Sequence, residues 1–336
     1  MINHANRYSR QTILSEICIS GQKKFAASEV VVIGCGATGS VHAETLARAG
    51  VGRLLLIDRD LVEPSNLQRQ LLFSERDIGR PKAQAAADRL RRINSEIRID
   101  FQITDIDSSN FETLIQGRTL VMDGTDNIST RMLINDACVK HNIPWVYAGV
   151  MQTSGMTMAI RPGGPCLQCV FPRADSFSSL PTCDQVGVLN TAVLATAAAA
   201  CTLAFKILLG EDDTAGLLHL DVWLRTWEWL TVERDPHCAC CGLGQYPFLG
   251  GGSDDRVLAF CGRNAVQVIP ARALKPDFTR LAAELKKVGQ VRHDEHLLVF
   301  STAGMEATLF ADGRAIVKGT EDTKIARSFY SRFFGC

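Results

Sequence analysis

The sequence predicts an α/β chain, a doubly wound and mainly parallel sheet followed by a small α+β domain. Three observations predict it. Residues 29–34 (EVVVIG) form a short β-branched run that meets glycines at once, as a buried parallel strand does on entering a helix. Strand-like and helix-like segments then alternate as far as about residue 150. Near residue 250 a proline and the Gly250-Gly251-Gly252 run interrupt the pattern, and a second strand–helix–strand series begins.

The elements follow in order. Gly34-Cys35-Gly36-Ala37-Thr38-Gly39 opens an Ala-rich helix that runs to about Ala49. Residues 53–58 (RLLLID) read as a second strand ending on an acid, and 81–93 as a helix with Pro81 at its start, where a missing N–H costs nothing. Residues 97–103 and 120–123 are the third and fourth strands, a helix surrounds Arg131 to His141, and 145–149 is the fifth strand. Beyond residue 150 the spacing gives a strand at 156–161, a long helix at 187–209 and late strands at 217–221 and 228–233. The expected division is a large α/β domain over 1–245, a linker over 246–255, and a small α+β domain over 256–336. In that last domain a strand precedes a helix at 277–288, two or three strands turn at Asp312-Gly313, and a helix starts at Asp322. It holds 13 Lys/Arg against 8 Asp/Glu in a chain of zero formal net charge, so the remainder is acidic.

Composition narrows the function. A chain of 336 residues, 46% hydrophobic and 21% charged, suits a soluble globular protein with a sizeable core. Zero net charge argues against a nucleic-acid or membrane-surface role based on bulk charge. Residues 1–10 are polar and hold no apolar signal core. The longest apolar run, 189–210, is Ala-rich and contains Asn190, three Thr and Lys206, which fits a buried packing helix better than a membrane span. These features imply a cytoplasmic location, where metal binding or catalysis explains paired cysteines better than disulfides do. Of the 12 cysteines, Cys18, Cys35, Cys138 and Cys201 stand singly in apolar stretches and are expected to be small buried hydrophobes.

Chemistry concentrates around the glycine loop. A G-x-G-x-x-G turn between strand and helix lets backbone approach a phosphate chain and presents the helix N-terminus to it. Asp58, 19 residues after Gly39 at a strand end, is placed to accept from ribose hydroxyls. A nicotinamide or flavin enzyme would show the same fingerprint. The next segments, Ser65-Asn66-Leu67-Gln68-Arg69-Gln70 and Gly79-Arg80-Pro81-Lys82, add cations that a dinucleotide has little use for and a triphosphate needs. A surface lysine and a salt-bridged arginine remain open as alternatives. Asp123-Gly124-Thr125-Asp126-Asn127 follows the fourth strand, where a carboxylate can either hold Mg²⁺ or cap the next helix. Cys166-Leu167-Gln168-Cys169 and Cys238-Ala239-Cys240-Cys241 give two knuckles that can complete a closed Cys₄ zinc site. Matching the spacing of the first pair selects Cys238 and Cys241 and leaves Cys240 a spectator. A redox dithiol is the competing reading.

Together with Arg7-Tyr8-Ser9-Arg10-Gln11, these segments resemble the ThiF/MoeB/HesA family, bacterial relatives of ubiquitin-activating enzymes, from about Arg7 to Gly242. The resemblance implies a Rossmann-like domain that uses ATP to adenylate the C-terminal glycine carboxylate of a ubiquitin-like sulfur-carrier protein ending in Gly-Gly. It implies a nucleotide cradle at Gly34, Gly36 and Gly39, ribose contact by Asp58, phosphate contact by Asn66, Arg69 and Lys82, and Mg²⁺ at Asp126. It further implies a homodimer in which Arg10 is donated to the partner's ATP. Cys183, in a polar Ser-rich stretch, falls where some members carry a cysteine used in covalent sulfur or acyl chemistry and others do without it. Residues 261–267 and 329–334 resemble the extra C-terminal domain of ThiF-type members, which implies thiamin thiazole biosynthesis and a sulfur donor protein. A molybdopterin-type member and a tRNA-modifying relative are the alternatives, and the tRNA-modifying relatives generally lack the paired zinc cysteines. A nicotinamide oxidoreductase would leave Arg69, Lys82 and both knuckles idle.

Overall fold

Val30, Val31, Val32 and Ile33 point alternately into two apolar layers, and that alternation organises the first unit. In the computed structural model they form β1 (Glu29–Ile33), with Val30 and Val32 in one core and Val31 and Ile33 in the other. The structure describes residues 7–172, 186–212, 216–250, 256–260, 264–270, 275–302 and 304–334, with 256–260 as backbone alone. The chain divides into two units, Met1–Gly251 and Gly252–Cys336.

In the first unit β2 (Arg53–Ile57), β3 (Arg98–Gln102), β4 (Leu120–Asp123) and β5 (Trp145–Met151) join β1 in parallel. β6 (Ser154–Ile160), β7 (Leu217–Asp221) and β8 (Thr226–Leu230) then extend the sheet antiparallel, in the order β3-β2-β1-β4-β5-β6-β7-β8. Ahead of β1 lie α1 (Ser9–Thr12) and α2 (Cys18–Ala27). One face of the sheet is covered by α3 (Ala37–Ala49), α4 (Lys82–Ile93) and, further along the chain, the long apolar helix at 190–209. On the other face lie α5 (Phe111–Ile115), α6 (Ile128–Lys140) and α7 (Leu167–Val170).

The long apolar helix, α8 (Asn190–Leu209), is long and apolar enough to cross a membrane. Here it packs on α3, β5 and β6 and buries Val193, Ala197, Ala200, Leu203, Ala204 and Ile207. Gly50 and Gly210 end α3 and α8 in the left-handed conformation that glycine adopts without a Cβ clash.

Two expectations need correction. Cys18 is not a buried hydrophobe: it is exposed, in the left-handed region at φ +53, with its thiol against the Leu14 and Ser15 carbonyls. Cys35, Cys138 and Cys201 are buried. Residues 246–249 are seated rather than loose. Tyr246, Phe248 and Leu249 pack on the second core, and the Phe248 N–H donates to Asp136 at 3.0 Å.

The second unit is an antiparallel sheet, β11-β12-β13-β14-β10-β9, built from β9 (Arg256–Phe260), β10 (Ala265–Ile269), β11 (Gln290–His293), β12 (Leu297–Thr302), β13 (Met305–Phe310) and β14 (Ala315–Lys318). One face packs under α9 (Phe278–Leu285) and α10 (Thr323–Phe333), capped by Asp277 and Asp322. The aromatic end of the chain serves this core, with Phe333 and Phe329 ring centroids 4.9 and 6.0 Å from Phe300.

His42 on α3 is fully buried, with no hydrogen-bond partner for either ring nitrogen among the described residues, and burial lowers its pKa from 6.5 to about 3. The unfolded chain therefore binds a proton that the native one refuses, so stability is retained above pH 6.5 and lost as pH falls toward 3. His42 should cost roughly 2–3 kcal/mol by about pH 4.5. Denaturant titrations of His42→Leu should show a flatter acid limb than the unsubstituted protein. Parallel limbs would show that this histidine is not what destabilises the fold in acid.

Candidate active site and metal centre

Strand order reverses between β1 and β4, and the loops leaving their carboxyl ends meet there, where open α/β sheets form their ligand crevice. Three glycines permit the meeting. Gly34 has φ +82, and a Cβ on Gly39 would lie 1.8 Å from the Gly34 oxygen. A Cβ on Gly124 would lie 2.4 Å from that same oxygen. Gly36 differs, since its Cβ would meet nothing closer than 3.8 Å. It occupies the N-cap position of α3 without a side-chain cap. The first amides of α3 are thus left without helical partners beside open space, as an anion cradle requires.

Asp58 closes one side of the cradle. The Cys35 N–H donates to its Oδ2 at 2.6 Å and the Asp60 N–H to its Oδ1 at 2.7 Å, which leaves each oxygen a lone pair for a ribose hydroxyl. Burial pushes this carboxyl upward, and the Lys82 ammonium pulls it back. Lys82, 5% exposed at the start of α4, holds its Nζ 3.3 Å from Asp60. Burial opposes its charge, but Asp60 and Asp58 outweigh burial and raise its pKa.

On the facing side, buried Asp123 accepts from the Thr125 N–H and hydroxyl, and Arg131 reaches it at 3.0 Å. Arg131 also donates to the Thr125 and Ala148 carbonyls and lies over the Tyr147 ring, which fixes the loop after β4 to the end of β5. Asp126 is exposed on that loop, and its charge acts on Arg59, Lys82 and Arg131 alike. Asn127 caps α6 by accepting from the Thr130 N–H.

Gly34, Gly36, Gly39, Asp58, Lys82 and Asp126 therefore meet at one crevice. Asn66, 2% exposed, fixes the turn after β2 by accepting from the Glu63 N–H, while Arg69 bends back to the Ser65 carbonyl at 3.0 Å. Gln70 brings that turn beside Gly36. Arg10 is exposed on α1, which Gln11 fastens to the end of α3, and among the described residues no hydrogen bond or ion pair joins Arg10 to the crevice. Cys183 lies outside the described residues. Sequence reasoning missed Arg59, which is 3.1 Å from Asp105, together with Asp60 and Arg131. The Asp58-Arg59-Asp60 spacing was a signal for Asp60. Arg131 left none, because its partners lie at the end of β4, on the loop after it and on β5.

The sulfurs of Cys166, Cys169, Cys238 and Cys241 lie within 4.8 Å of one another, with Cys166–Cys238 at 3.6 Å and Cys169–Cys241 at 3.4 Å. A tetrahedral thiolate site with Zn–S near 2.3 Å sets its sulfurs about 3.8 Å apart, so the cluster fits that metal. Cys240 stands outside this set, as the spacing predicts. It is wholly buried against the cluster and accepts from Asn135 Nδ2 at 3.2 Å. Asn135 Oδ1 also accepts from the Leu167 N–H at 2.8 Å, so one side chain touches both knuckles.

The chain is similar to known proteins along most of its length. The ThiF family model matches residues 8–241. The chain is 38% identical to the sulfur carrier protein ThiS adenylyltransferase of Bacillus subtilis, over 98% of this chain and 99% of that one. It is 36% identical to the SAMP-activating enzyme E1 of Haloferax volcanii, over 71% and 89%. It is 39% identical to the mouse adenylyltransferase and sulfurtransferase MOCS3, over 80% of this chain and 58% of that one. The solved structure of E. coli MccB with ATP shares the fold, with a TM-score of 0.62 at 24% identity over 71% and 75% of the chains.

The glycine geometry separates folding from binding. Gly39→Ala, pressed against backbone, should destabilise by about 1–3 kcal/mol or more. Gly36→Ala should melt within a degree or two of the unsubstituted protein and yet weaken nucleotide binding by roughly tenfold, since its methyl fills only the open space (about 1.4 kcal/mol). Melting curves and ATP titration of both variants would check this. Unimpaired ATP binding by Gly36→Ala would remove the cradle.

Proposed function

The chain belongs to the ThiF family, and on that premise we propose that it adenylates the C-terminal glycine carboxylate of a ThiS-like sulfur-carrier protein. The observation that carries this reading is the meeting, at the switch-point crevice, of the glycine cradle with Asp58, Lys82 and the exposed Asp126 on the loop after β4. A carboxylate among cations beside a glycine cradle suits a metal-bound triphosphate. The carrier carboxylate attacks the α-phosphorus, a new P–O bond forms, the α–β bridge breaks, and pyrophosphate leaves with the electron pair. No general base is needed, because the nucleophile is already ionised. Positioning and charge stabilisation supply the rate. Asp58 would bind ribose, Asn66, Arg69 and Lys82 would contact the phosphates, and Asp126 would hold Mg²⁺, which would supply positive charge to the triphosphate. The four-cysteine cluster holds a structural Zn²⁺.

The carrier needs an apolar landing surface. The β7–β8 hairpin supports one, with Trp223, Trp227 and Trp229 more than half exposed at the open sheet edge. Near full-length similarity to the Bacillus ThiS adenylyltransferase, which takes in the second unit, favours thiazole synthesis over a molybdopterin role. Such chemistry belongs in the cytoplasm with its ATP and a sulfur donor protein, and Cys183 would serve the sulfur step.

Purified protein should exchange pyrophosphate into ATP only with Mg²⁺ and a Gly-Gly carrier. Asp126→Ala should cut exchange on the order of 100-fold or more without lowering the melting temperature. Trp227→Glu should raise the carrier KM at least about tenfold and leave the KM for ATP unchanged. Exchange without any carrier would sink the reading. The proposed homodimer shares Arg10 between sites, so mixing inactive Arg10→Ala with inactive Asp126→Ala subunits should restore part of the activity. No rescue after confirmed subunit exchange would place Arg10 elsewhere.

A further inference from the structure

One buried amide grips both cysteine knuckles without touching any of the four clustered sulfurs. Asn135, wholly buried on α6, accepts from the Leu167 N–H at 2.8 Å and donates from Nδ2 to the Cys240 sulfur at 3.2 Å. Leu167 lies between Cys166 and Cys169, and Cys240 between Cys238 and Cys241. A backbone N–H can only donate, so the Leu167 contact fixes which end of the amide faces which knuckle. Asp136 is wholly buried too. It accepts from Gln168 Nε2 at 2.7 Å in the first knuckle and from the Phe248 N–H at 3.0 Å beyond the second. Both segments that supply the cluster are thus tied to α6.

The other end of α6 is tied to the crevice. One turn back from Asn135, about 6 Å along the axis, Arg131 donates to Asp123 at 3.0 Å and to the Thr125 and Ala148 carbonyls at 2.6 and 3.2 Å. Asn127 caps the helix, so Asp126 stands between the carbonyl that Arg131 holds and the cap. A hydrogen-bonded helical turn carries a displacement over so short a span. A shift at Asn135 therefore reaches the loop of Asp126. Asp58 and Lys82 stand elsewhere, after β2 and at the start of α4, and are held by Cys35 and Asp60.

We propose that Asn135 is a positioning residue for the adenylation chemistry, which acts through α6 to set the loop of Asp126 against the cysteine cluster. The two centres are then coupled. A metal that joins the knuckles favours the helix position that Asn135 holds, and a triphosphate that engages the Asp126 loop favours the same position from the other end. Such coupling is reciprocal, so each ligand tightens the other by one common factor. This role rests on reading the crevice as a nucleotide site and the cluster as a zinc site, and it falls to a side chain that touches neither ligand.

The test is zinc release to a chromogenic chelator, measured on the full zinc-loaded chain without carrier. Saturating MgATP should slow release about tenfold. Saturating adenosine, which brings no phosphate to the Asp126 loop, should leave release unchanged. Asn135→Leu, close in volume but without either hydrogen bond, should retain zinc and lose the effect of MgATP on its release. It should also bind MgATP about tenfold more weakly and adenosine as tightly as the unsubstituted protein does. If Asn135→Leu does not fold, the contrast between MgATP and adenosine on the unsubstituted protein decides alone. Release unmoved by MgATP, or slowed equally by adenosine, would overturn the proposal. So would full MgATP protection in Asn135→Leu, or an equal loss of MgATP and adenosine binding, which would make Asn135 a merely structural residue. Unsubstituted protein that holds no zinc, or that binds no ATP, would instead overturn the metal or the nucleotide reading beneath it.

Discussion

Backbone contact among Gly34, Gly39 and Gly124 is the constraint on which the rest of the first unit depends. The loop after β1, the first turn of α3 and the loop after β4 approach so closely that a single methyl on Gly39 would sit 1.8 Å from a carbonyl oxygen. Such an approach does two things. It pulls the amino end of α3 down to the sheet edge, where free amides are available to an anion. It also sets the loop after β4 beside the loop after β1, so carboxylates from both strand ends border one space. Asp58 and Asp123 are consequently buried, and neither could stay ionised alone. Cys35, Asp60 and Lys82 answer the first, while Thr125 and Arg131 answer the second.

The same economy of position joins the two centres. α6 is capped by Asn127, one residue past Asp126, and Arg131 on its first turns clamps the loop that carries Asp126. One turn further on, Asn135 and Asp136 reach the cysteine knuckles. A single helix of 13 residues thus fixes the position of a charged loop at one end and of a sulfur cluster near the other. The knuckles are far apart in sequence, so a metal held by both would tie distant segments together, and its binding energy would be folding energy.

Much of this was legible in the residues. β-branched runs, the glycine fingerprint and the paired cysteines are local patterns with local causes, and each appeared where the spacing placed it. Asp58 and Lys82 were legible because each stands at the boundary of a regular element. Arg59, Arg131, Asn135 and Asp136 were not, because a charged or amide side chain in a helix or at a strand end has no sequence mark that names a distant partner. Cys240 was set aside because spacing counts ligands and gives no sign of a further cysteine buried beside them. Cys18 misled for a different reason. Its neighbours Ile13, Leu14 and Ile19 are apolar but exposed, so apolar surroundings in the sequence did not mean a buried site.

The charges at the crevice also say which part of it has to move. Lys82 is buried, and its ammonium is already paired with Asp60, so its position is set before any nucleotide arrives. Arg131 is held by three oxygens and an aromatic face. Groups fixed in this way stabilise developing charge without reorganising, which is where preorganised sites gain most of their effect. Arg69 is the exception. Its guanidinium is turned back onto the Ser65 carbonyl of its own turn, a neutral and readily exchanged acceptor. Replacing that carbonyl by phosphate oxygens exchanges a neutral hydrogen bond for charge-assisted ones of about twice the strength. Under the proposed chemistry, Lys82 and Arg131 form the rigid part of the clamp, and Arg69 is the arm that closes on the triphosphate.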